Sequence, residues 1–356
     1  MKAKVAIKSW PNWMKRVNSL VAQCKASGDK LRVPLKFYAA HTGRWGGMEK
    51  LNLMALGGRG RGTPIHPLIG QVRNLLIAPN GYKLTIADSA QIEARLLAWL
   101  AGQDDLIKGF ADGEDIYSVF ATKLFGCPVH KPTADDPDNE VGTLKIRRGF
   151  GKDAILGCGY GMGANTFYER CRENDSIRPL LDSGEYDWDF INGLIKTYRK
   201  TYSKVPALWQ SIEKAFRFVC RYPTEKIDYN GKLLFWKSGA TVNIQLPSGR
   251  VLYYHHAKVN RKGDISYDHG KLWGGTLVEN IIQAIARDLL GYWILECEGW
   301  GCPVILTCHD EIVSYNLNDG ADDILQGMIQ IMSRGPAWAE GLPLAAEGQV
   351  SECYVK

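Results

Sequence analysis

Leu84-Thr85-Ile86-Ala87 is an apolar stretch that runs straight into Asp88-Ser89-Ala90-Gln91-Ile92-Glu93, and the pattern returns far down the chain. There Val304-Ile305-Leu306-Thr307 runs into Cys308-His309-Asp310-Glu311-Ile312. Both read as β-strands whose tips present carboxylates. A strand tip is a rigid place to hold a metal ligand. Two Mg²⁺ ions about 3.5–4 Å apart, held by a few carboxylates, activate an attacking hydroxyl and stabilise a leaving pyrophosphate. Asp88 and Asp310 are the candidates for the bridging ligands. Either Asp alone also fits an ordinary turn residue, so the case rests on the set.

Between the two clusters lies a basic segment with Arg147, Arg148 and Lys152. Arg148, Lys152, Leu156 and Tyr160 recur every four residues, which predicts one stripe of a helix about 18 Å long. Two cations at one end, with an apolar and an aromatic residue at the other, match a nucleotide laid along that helix. The cations would take the triphosphate as charge-assisted donors, and Leu156 and Tyr160 would meet sugar and base. A surface amphipathic helix running into a loop fits the same residues. Gly157, Gly159, Gly161 and Gly163 would each cost about 1 kcal/mol relative to Ala inside a helix, so their density predicts an end that bends or lets a base approach. Gly151-Lys152 is not a phosphate loop, because Ile146 stands at the first glycine position and Asp153 replaces the Ser or Thr. Acidic, basic and acidic segments in this order point to template-directed nucleotide transfer.

The whole chain sets outer limits. Its 356 residues, 45% apolar and 23% charged, suffice for one large domain or two lobes. There is no apolar run of the roughly 20 residues that span a bilayer, and the start lacks a signal-peptide core, so a cytoplasmic protein of a bacterium or phage-infected host is expected. Nine cysteines without a Cys-x-x-Cys pair argue against a disulfide framework and a structural zinc. Cys302 and Cys308 beside His309 lack a fourth ligand at suitable spacing. His309 reads as support for the hairpin tip, since Mg²⁺ prefers oxygen, and His255 and His256 read as surface or packing residues. The net charge of +6 suits a polyanionic partner without requiring one. Lys196, Arg199, Lys200, Lys204, Lys214, Arg217 and Arg221 are interleaved with Tyr198, Tyr202, Trp209 and Phe216, which fits nucleic-acid contact or a solvated helix face.

Along the chain, residues 1–35 read as a basic helix with Trp10, Trp13, Val17 and Leu20 loosely on one side. His41 to Gly62 reads as an extended, glycine-rich loop. A helix with Ile92, Leu96, Leu97 and Leu100 follows the first acidic strand, and Pro128 to Asp138 marks a break before the basic helix. The middle, to about residue 235, reads as mainly helical. Thr241 to Leu246 and Arg250 to Tyr253 then read as strands around a Pro-Ser-Gly turn, followed by a helix from about Leu277 to Ile294. Helices inserted between halves of one sheet make an α+β protein with a cleft.

These residues resemble family A DNA polymerases, the group of bacterial DNA polymerase I and many phage replicases, in order from about Lys36 to the C-terminus. Asp88-x-x-Gln-Ile-Glu93 is similar to the first catalytic motif, Arg148-x-x-x-Lys152 with Tyr160-Gly161 to the nucleotide-binding fingers helix, and His309-Asp310-Glu311 to the second catalytic motif. Thr42-Gly43-Arg44 is similar to the segment near the primer terminus, and Gln283, with Asp288 behind it, to the palm glutamine. The resemblance implies a right-hand polymerase fold with an antiparallel palm sheet and a helical fingers insertion. It implies two Mg²⁺ ions on Asp88 and Asp310 with the Ser89 carbonyl, and Glu311 as a weaker acid behind them. Arg148 and Lys152 would bind phosphates, with Lys152 also protonating pyrophosphate. Glu93 would exclude a ribose 2′-hydroxyl, with Gln91, Leu156, Tyr160 and His309 completing the nucleotide set. Arg44, Asn52, Gln283 and Arg250 would contact DNA, Arg44 and Gln283 at minor-groove acceptors common to every correct base pair.

Departures from the family pattern are Ser89-Ala90 for Tyr-Ser, Leu156 for Phe or Tyr, and Gly275 and Glu279 for polar positions; Leu156 favours the phage branch. Only about forty residues precede Arg44, so the thumb is expected to be largely missing, through a split gene or a shortened product. The expected division is a thumb remnant at 1–40, palm at 41–100, fingers at 101–240 and palm again at 241–356. The activity implied is that of a DNA-directed DNA polymerase on primer-template DNA and dNTPs. The alternatives are a partner-dependent or non-catalytic primer-template binding subunit, with another polypeptide supplying thumb and exonuclease, and a single-subunit RNA polymerase or reverse transcriptase, where Glu93 opposes the RNA polymerase.

Overall fold

In the stretch Tyr82–Ser89, Leu84 and Ile86 alternate with Thr85 and Ala87 and all four are buried, the pattern of a strand covered on both faces. The computed structural model describes residues 2–49, 51–56 and 71–355, so residues 50 and 57–62 of the expected His41–Gly62 loop lie outside it. The chain divides into two compact units. One comprises Met1–Ala90, Arg287–Arg334 and Ala345–Lys356, and the other Gln91–Ala286 with Gly335–Leu344.

In chain order, the first unit opens with helix α1 (Lys2–Ala26) and strands β1 (Leu35–Lys36), β2 (Gly46–Gly47) and β3 (Tyr82–Ser89). The second follows with α2 (Ile92–Ala101), α3 (Asp104–Ala111), α4 (Ile116–Phe125), α5 (Asp138–Cys158) and α6 (Ala164–Arg172). Next come α7 (Arg178–Asp182), α8 (Trp188–Thr201), α9 (Lys204–Arg221) and strands β4 (Lys226–Tyr229), β5 (Leu233–Ser238), β6 (Thr241–Gln245) and β7 (Val251–Tyr254). After β8 (Lys258–Val259), β9 (Ile265–Tyr267) and β10 (Gly270–Leu272), helix α10 (Gly274–Gly299) leads back to the first unit. There stand β11 (Val304–Cys308), β12 (Glu311–Leu317), α11 (Ala321–Met332) and β13 (Ala346–Ser351).

The first unit is organised by a four-stranded antiparallel sheet of order β11-β12-β3-β13. One face buries Leu84, Ile86, Leu306 and Val313 with Leu20, Leu51, Leu53, Leu56, Val72 and Tyr354. Helix α11 packs against β3 and β13. Leu20 and Val17 join this core, whereas Trp10 stays 44% exposed, so only part of the expected α1 stripe is buried.

In the second unit, α4 and α5 lie close together because α5 has a glycine at the contact: a Cβ on Gly151 would come within 2.1 Å of the Tyr117 carbonyl oxygen. Phe125, Phe150, Tyr186 and Phe190 pack as an aromatic cluster beside this contact, with ring centroids 4.7–6.2 Å apart. The sheet β4-β5-β6-β7 begins nearly ten residues before the expected end of the helical region. Its first hairpin turns through Asn230 and Gly231, both left-handed at φ 54° and 66°, a dipeptide that favours such turns. Helix α5 ends at Cys158, so Tyr160 lies in the following turn and the four-residue stripe is one member shorter than expected.

Candidate active site

Two antiparallel pairings fix Asp88 at the end of β3. It stands in register with Glu311 of β12 on one side and Glu347 of β13 on the other. Asp310 is the second residue of the two-residue loop that joins β11 to β12, and the Ser89 N–H donates to its carbonyl oxygen at 3.0 Å. The Ala90 N–H donates to the Ala345 oxygen at 2.9 Å. Backbone bonds thus hold the two aspartates of the two acidic motifs at one end of one sheet. The other loop residue, His309, is exposed with φ 62°, a conformation uncommon for a residue with a Cβ.

Like charges directly opposite across a ladder repel, and the Asp88–Glu311 pair is relieved from below. Glu311 is 1% exposed and accepts a hydrogen bond from the Tyr354 hydroxyl. Burial and the Glu311 carboxylate push the Tyr354 phenol well above its ordinary range, so it remains a donor. The buried Arg73 guanidinium stacks 4.9 Å from the centroid of the Tyr354 ring and donates to the Leu56 oxygen at 2.8 Å. Glu311 is therefore a buried, hydrogen-bonded acid directly across the ladder from Asp88. Among the described residues no group of three or more His, Cys, Asp or Glu side chains is arranged to hold a metal ion. The donors on hand are the carboxylates of Asp88 and Asp310 and the Ser89 carbonyl. They are hard oxygens, and this chemistry fits a hydrated dication completed by water and substrate oxygens.

Arg44 and His309 line one crevice of the first unit, with Trp45, Met54, Arg287, Leu290 and Thr307. The Arg44 carbonyl accepts from the Ala39 and Ala40 N–H groups at 3.0 and 3.2 Å, and Gly43 closes the turn at φ 86°. Arg287, which the sequence places with Asn280 and Gln283 on the polar side of its helix without a role, stacks between Phe37 and Trp45 at 4.9 and 4.8 Å. It donates to the Gly43 oxygen at 3.1 Å and pairs with Asp288 at 3.2 Å. A charged Arg-Asp pair within an apolar helix was the one sequence signal for it. Asn52 is exposed and caps the short turn Leu53–Ala55, accepting from the Met54 N–H at 3.1 Å.

In the second unit, α5 presents Arg148, Lys152 and Leu156. Arg148 makes a two-armed pair with Asp115, at 2.6 and 3.1 Å, and lies 5.3 Å from the centroid of the Tyr117 ring. Burial pushes the Asp115 carboxyl up, but the bonds from Arg148 and Ser118 outweigh it and hold the group below the usual aspartate range. Lys152 is exposed and makes no hydrogen bond or ion pair within the described residues. The Tyr160 hydroxyl donates to Glu93 at 3.3 Å, joining the end of the basic segment to the first motif. Gln91, the left-handed residue before α2 at φ 53°, hydrogen-bonds Tyr117. Gln283 donates to Glu279 at 3.2 Å, and Arg250 donates to the oxygen of the next residue, Ala284, at 2.9 Å. Among the glycines after Leu156, Gly161 has a packing reason: a Cβ there, at φ 81°, would meet the Trp273 ring at 2.1 Å, whereas a Cβ on Gly163 would meet nothing within 4 Å.

An α+β chain with this antiparallel sheet and helical insertion has the fold of a polymerase domain. The POL domain of Pol1 from M. smegmatis, solved in complex with DNA primer-template and dNTP, superposes with a TM-score of 0.64 at 17% identity, covering 98% of this chain and 52% of that one. The DNA polymerase of Bacillus phage SP02 is 31% identical over 92% of this chain and 53% of its own length. The thermostable DNA polymerase I of a Thermus thermophilus strain is 36% identical over 29% of the chain and 11% of its own length. The chain thus spans about half the length of the phage relative. Residues 12–219 match the family model of DNA polymerase family A, and the chain belongs to that family.

Proposed function

We propose that the chain is a DNA-directed DNA polymerase that transfers deoxynucleotides from dNTPs to the 3′-hydroxyl of a primer paired with a DNA template, in the cytoplasm. The observation that carries this reading is the placement of Asp88 and Asp310 at one end of one sheet, held by strand register and by the Ser89–Asp310 backbone bond. Two Mg²⁺ ions, when bound there, would activate the hydroxyl and neutralise charge at the departing pyrophosphate. Asp88, Asp310 and the Ser89 carbonyl would hold them, and Glu311, bonded by Tyr354, orients the hairpin. On α5, Lys152 binds phosphate and gives a proton to the pyrophosphate, and Arg148 exchanges Asp115 for a phosphate oxygen. Glu93, bonded by Tyr160, excludes a 2′-hydroxyl. Arg44 and Gln283, with Asn52 and Arg250, meet the duplex. In this reading the first unit's sheet belongs to the palm, and residues 101–240, with α3–α9, form the fingers.

The span of about half the phage polymerase supports a second reading. In it the chain binds primer-template and acts with a polypeptide that supplies thumb and exonuclease. Extension of a labelled DNA primer by the purified chain with Mg²⁺ and dNTPs separates the two. Template-directed extension, lost in Asp88→Ala and Asp310→Ala, supports the first reading. Primer-template binding without extension contradicts it and supports the second.

A further inference from the structure

Away from these residues, α9 carries Gln210, Glu213, Lys214, Arg217, Cys220 and Arg221 at steps of three and four, one continuous face of a helix. This face lines two adjoining cavities, of about 600 and 540 Å³, that share Arg217. The larger is completed by Arg199, Pro206, Trp209 and Trp273. The smaller is completed by Lys237 of β5, Ala257, and Lys258 and Val259 of β8.

The charge is one-sided. Arg217, Arg221, Lys237 and Lys258 all line the smaller cavity, and its lining contains no carboxylate. The one acid of the larger cavity, Glu213, is already engaged: it accepts from the Arg217 guanidinium at 3.1 Å and from the Gly274 N–H at 2.7 Å. Lys214, Arg221 and Lys258 are exposed. Such a cluster repels itself and is relieved by a polyanion. Gln210 and Arg221 are about 16 Å apart along the helix, too long for one phosphate and suited to several in a row. The larger cavity adds aromatic surface: Trp273 is 44% exposed and packs edge-on against Trp209 at 6.2 Å. An exposed indole beside a row of cations is the pairing that single-stranded nucleic acids use, because an unpaired base can stack while its phosphates are bound.

We propose that this groove on α9 is a binding site for single-stranded DNA, with phosphates at Arg217, Arg221, Lys237 and Lys258 and a base stacked on Trp273. It shares no residue with the proposed catalytic and nucleotide-binding set, so its test does not depend on catalysis. Binding of a fluorescent oligothymidylate to the whole chain is measured by anisotropy over a range of salt. Arg221→Gln/Lys237→Gln/Lys258→Gln should weaken binding about tenfold or more at low salt and flatten the plot of log K against log salt by about two, at roughly 0.7 per lost phosphate contact. Affinity for a blunt duplex should stay unchanged, and Arg221→Lys/Lys237→Arg/Lys258→Arg should retain the single strand. A base-free strand of equal length should bind the unaltered chain about fivefold or more weakly. Unchanged single-strand affinity in the Gln variant, or an equal loss on blunt duplex, would overturn the site. Equal affinity for the base-free strand would overturn the stacking.

Discussion

Asp88 at the end of β3 is held by paired strands on both sides and by a backbone bond from its neighbour Ser89 to Asp310. Arg148 on α5 is held by a side-chain ion pair with Asp115, both side chains about a quarter exposed. The first arrangement fixes position through the main chain, and no side-chain exchange can loosen it. The second fixes a cation with a carboxylate that a phosphate can replace. A group that must meet a metal ion in one geometry gains from the first. A group that must take up and release a substrate gains from the second.

The difference can be broken most severely at the sheet. Asp88→Ala should lower primer extension about 10³-fold, the order seen when a group that stabilises developing charge is removed, with the melting temperature little changed. Next comes the support beneath it. Tyr354→Phe removes a hydrogen bond from the buried Glu311 carboxylate and should cost about 1–3 kcal/mol, read as a lower denaturation midpoint at unchanged slope. Gly151→Ala drives a methyl into the Tyr117 carbonyl and should cost about 1–3 kcal/mol by overpacking, measured the same way.

Asp115→Asn is expected to be mildest, under about 1 kcal/mol, because the pair is partly exposed. It should also free Arg148 and tighten dNTP binding. Its pH dependence has a definite sign. The folded carboxyl lies below its ordinary value, so its stabilisation is present above the ordinary aspartate range and fades as pH falls through the folded value. The gap in stability between the parent and Asp115→Asn should therefore close only in strong acid. A gap that widened on acidification would contradict the assignment.

Elements written in local pattern were legible before the structure. β3 shows an apolar run ending in Asp88, α10 shows apolar residues at helical spacing, and β6 and β7 flank a Pro-Ser-Gly turn. The β4–β5 hairpin was missed although Asn230-Gly231 marks it, because the preceding helical periodicity was carried too far. The supports of the site were illegible for a different reason. Cys308 lies 235 residues from Arg73, whose guanidinium it meets at 3.9 Å. Tyr354 lies 43 residues from Glu311. Asp115 lies 33 residues before Arg148, with the helix-breaking segment from Pro128 to Asp138 between them. Such pairings are products of the fold, and no spacing rule announces them. The resemblance implied roles for Asp88 and Asp310, but not the strand register and backbone bond that hold them.

The central claim is that the sheet end performs the chemistry and the basic helix holds the nucleotide. Single-turnover addition of one dNTP to a primer, followed over dNTP concentration in Asp310→Ala and Lys152→Ala, tests it most directly. Asp310→Ala should lose the maximal rate about 10³-fold while half-saturation stays within about threefold, and Lys152→Ala should raise half-saturation about tenfold or more, with a further loss of rate from its proton role. An Asp310→Ala chain that keeps its maximal rate, or a Lys152→Ala chain with unchanged half-saturation, would contradict that division of labour.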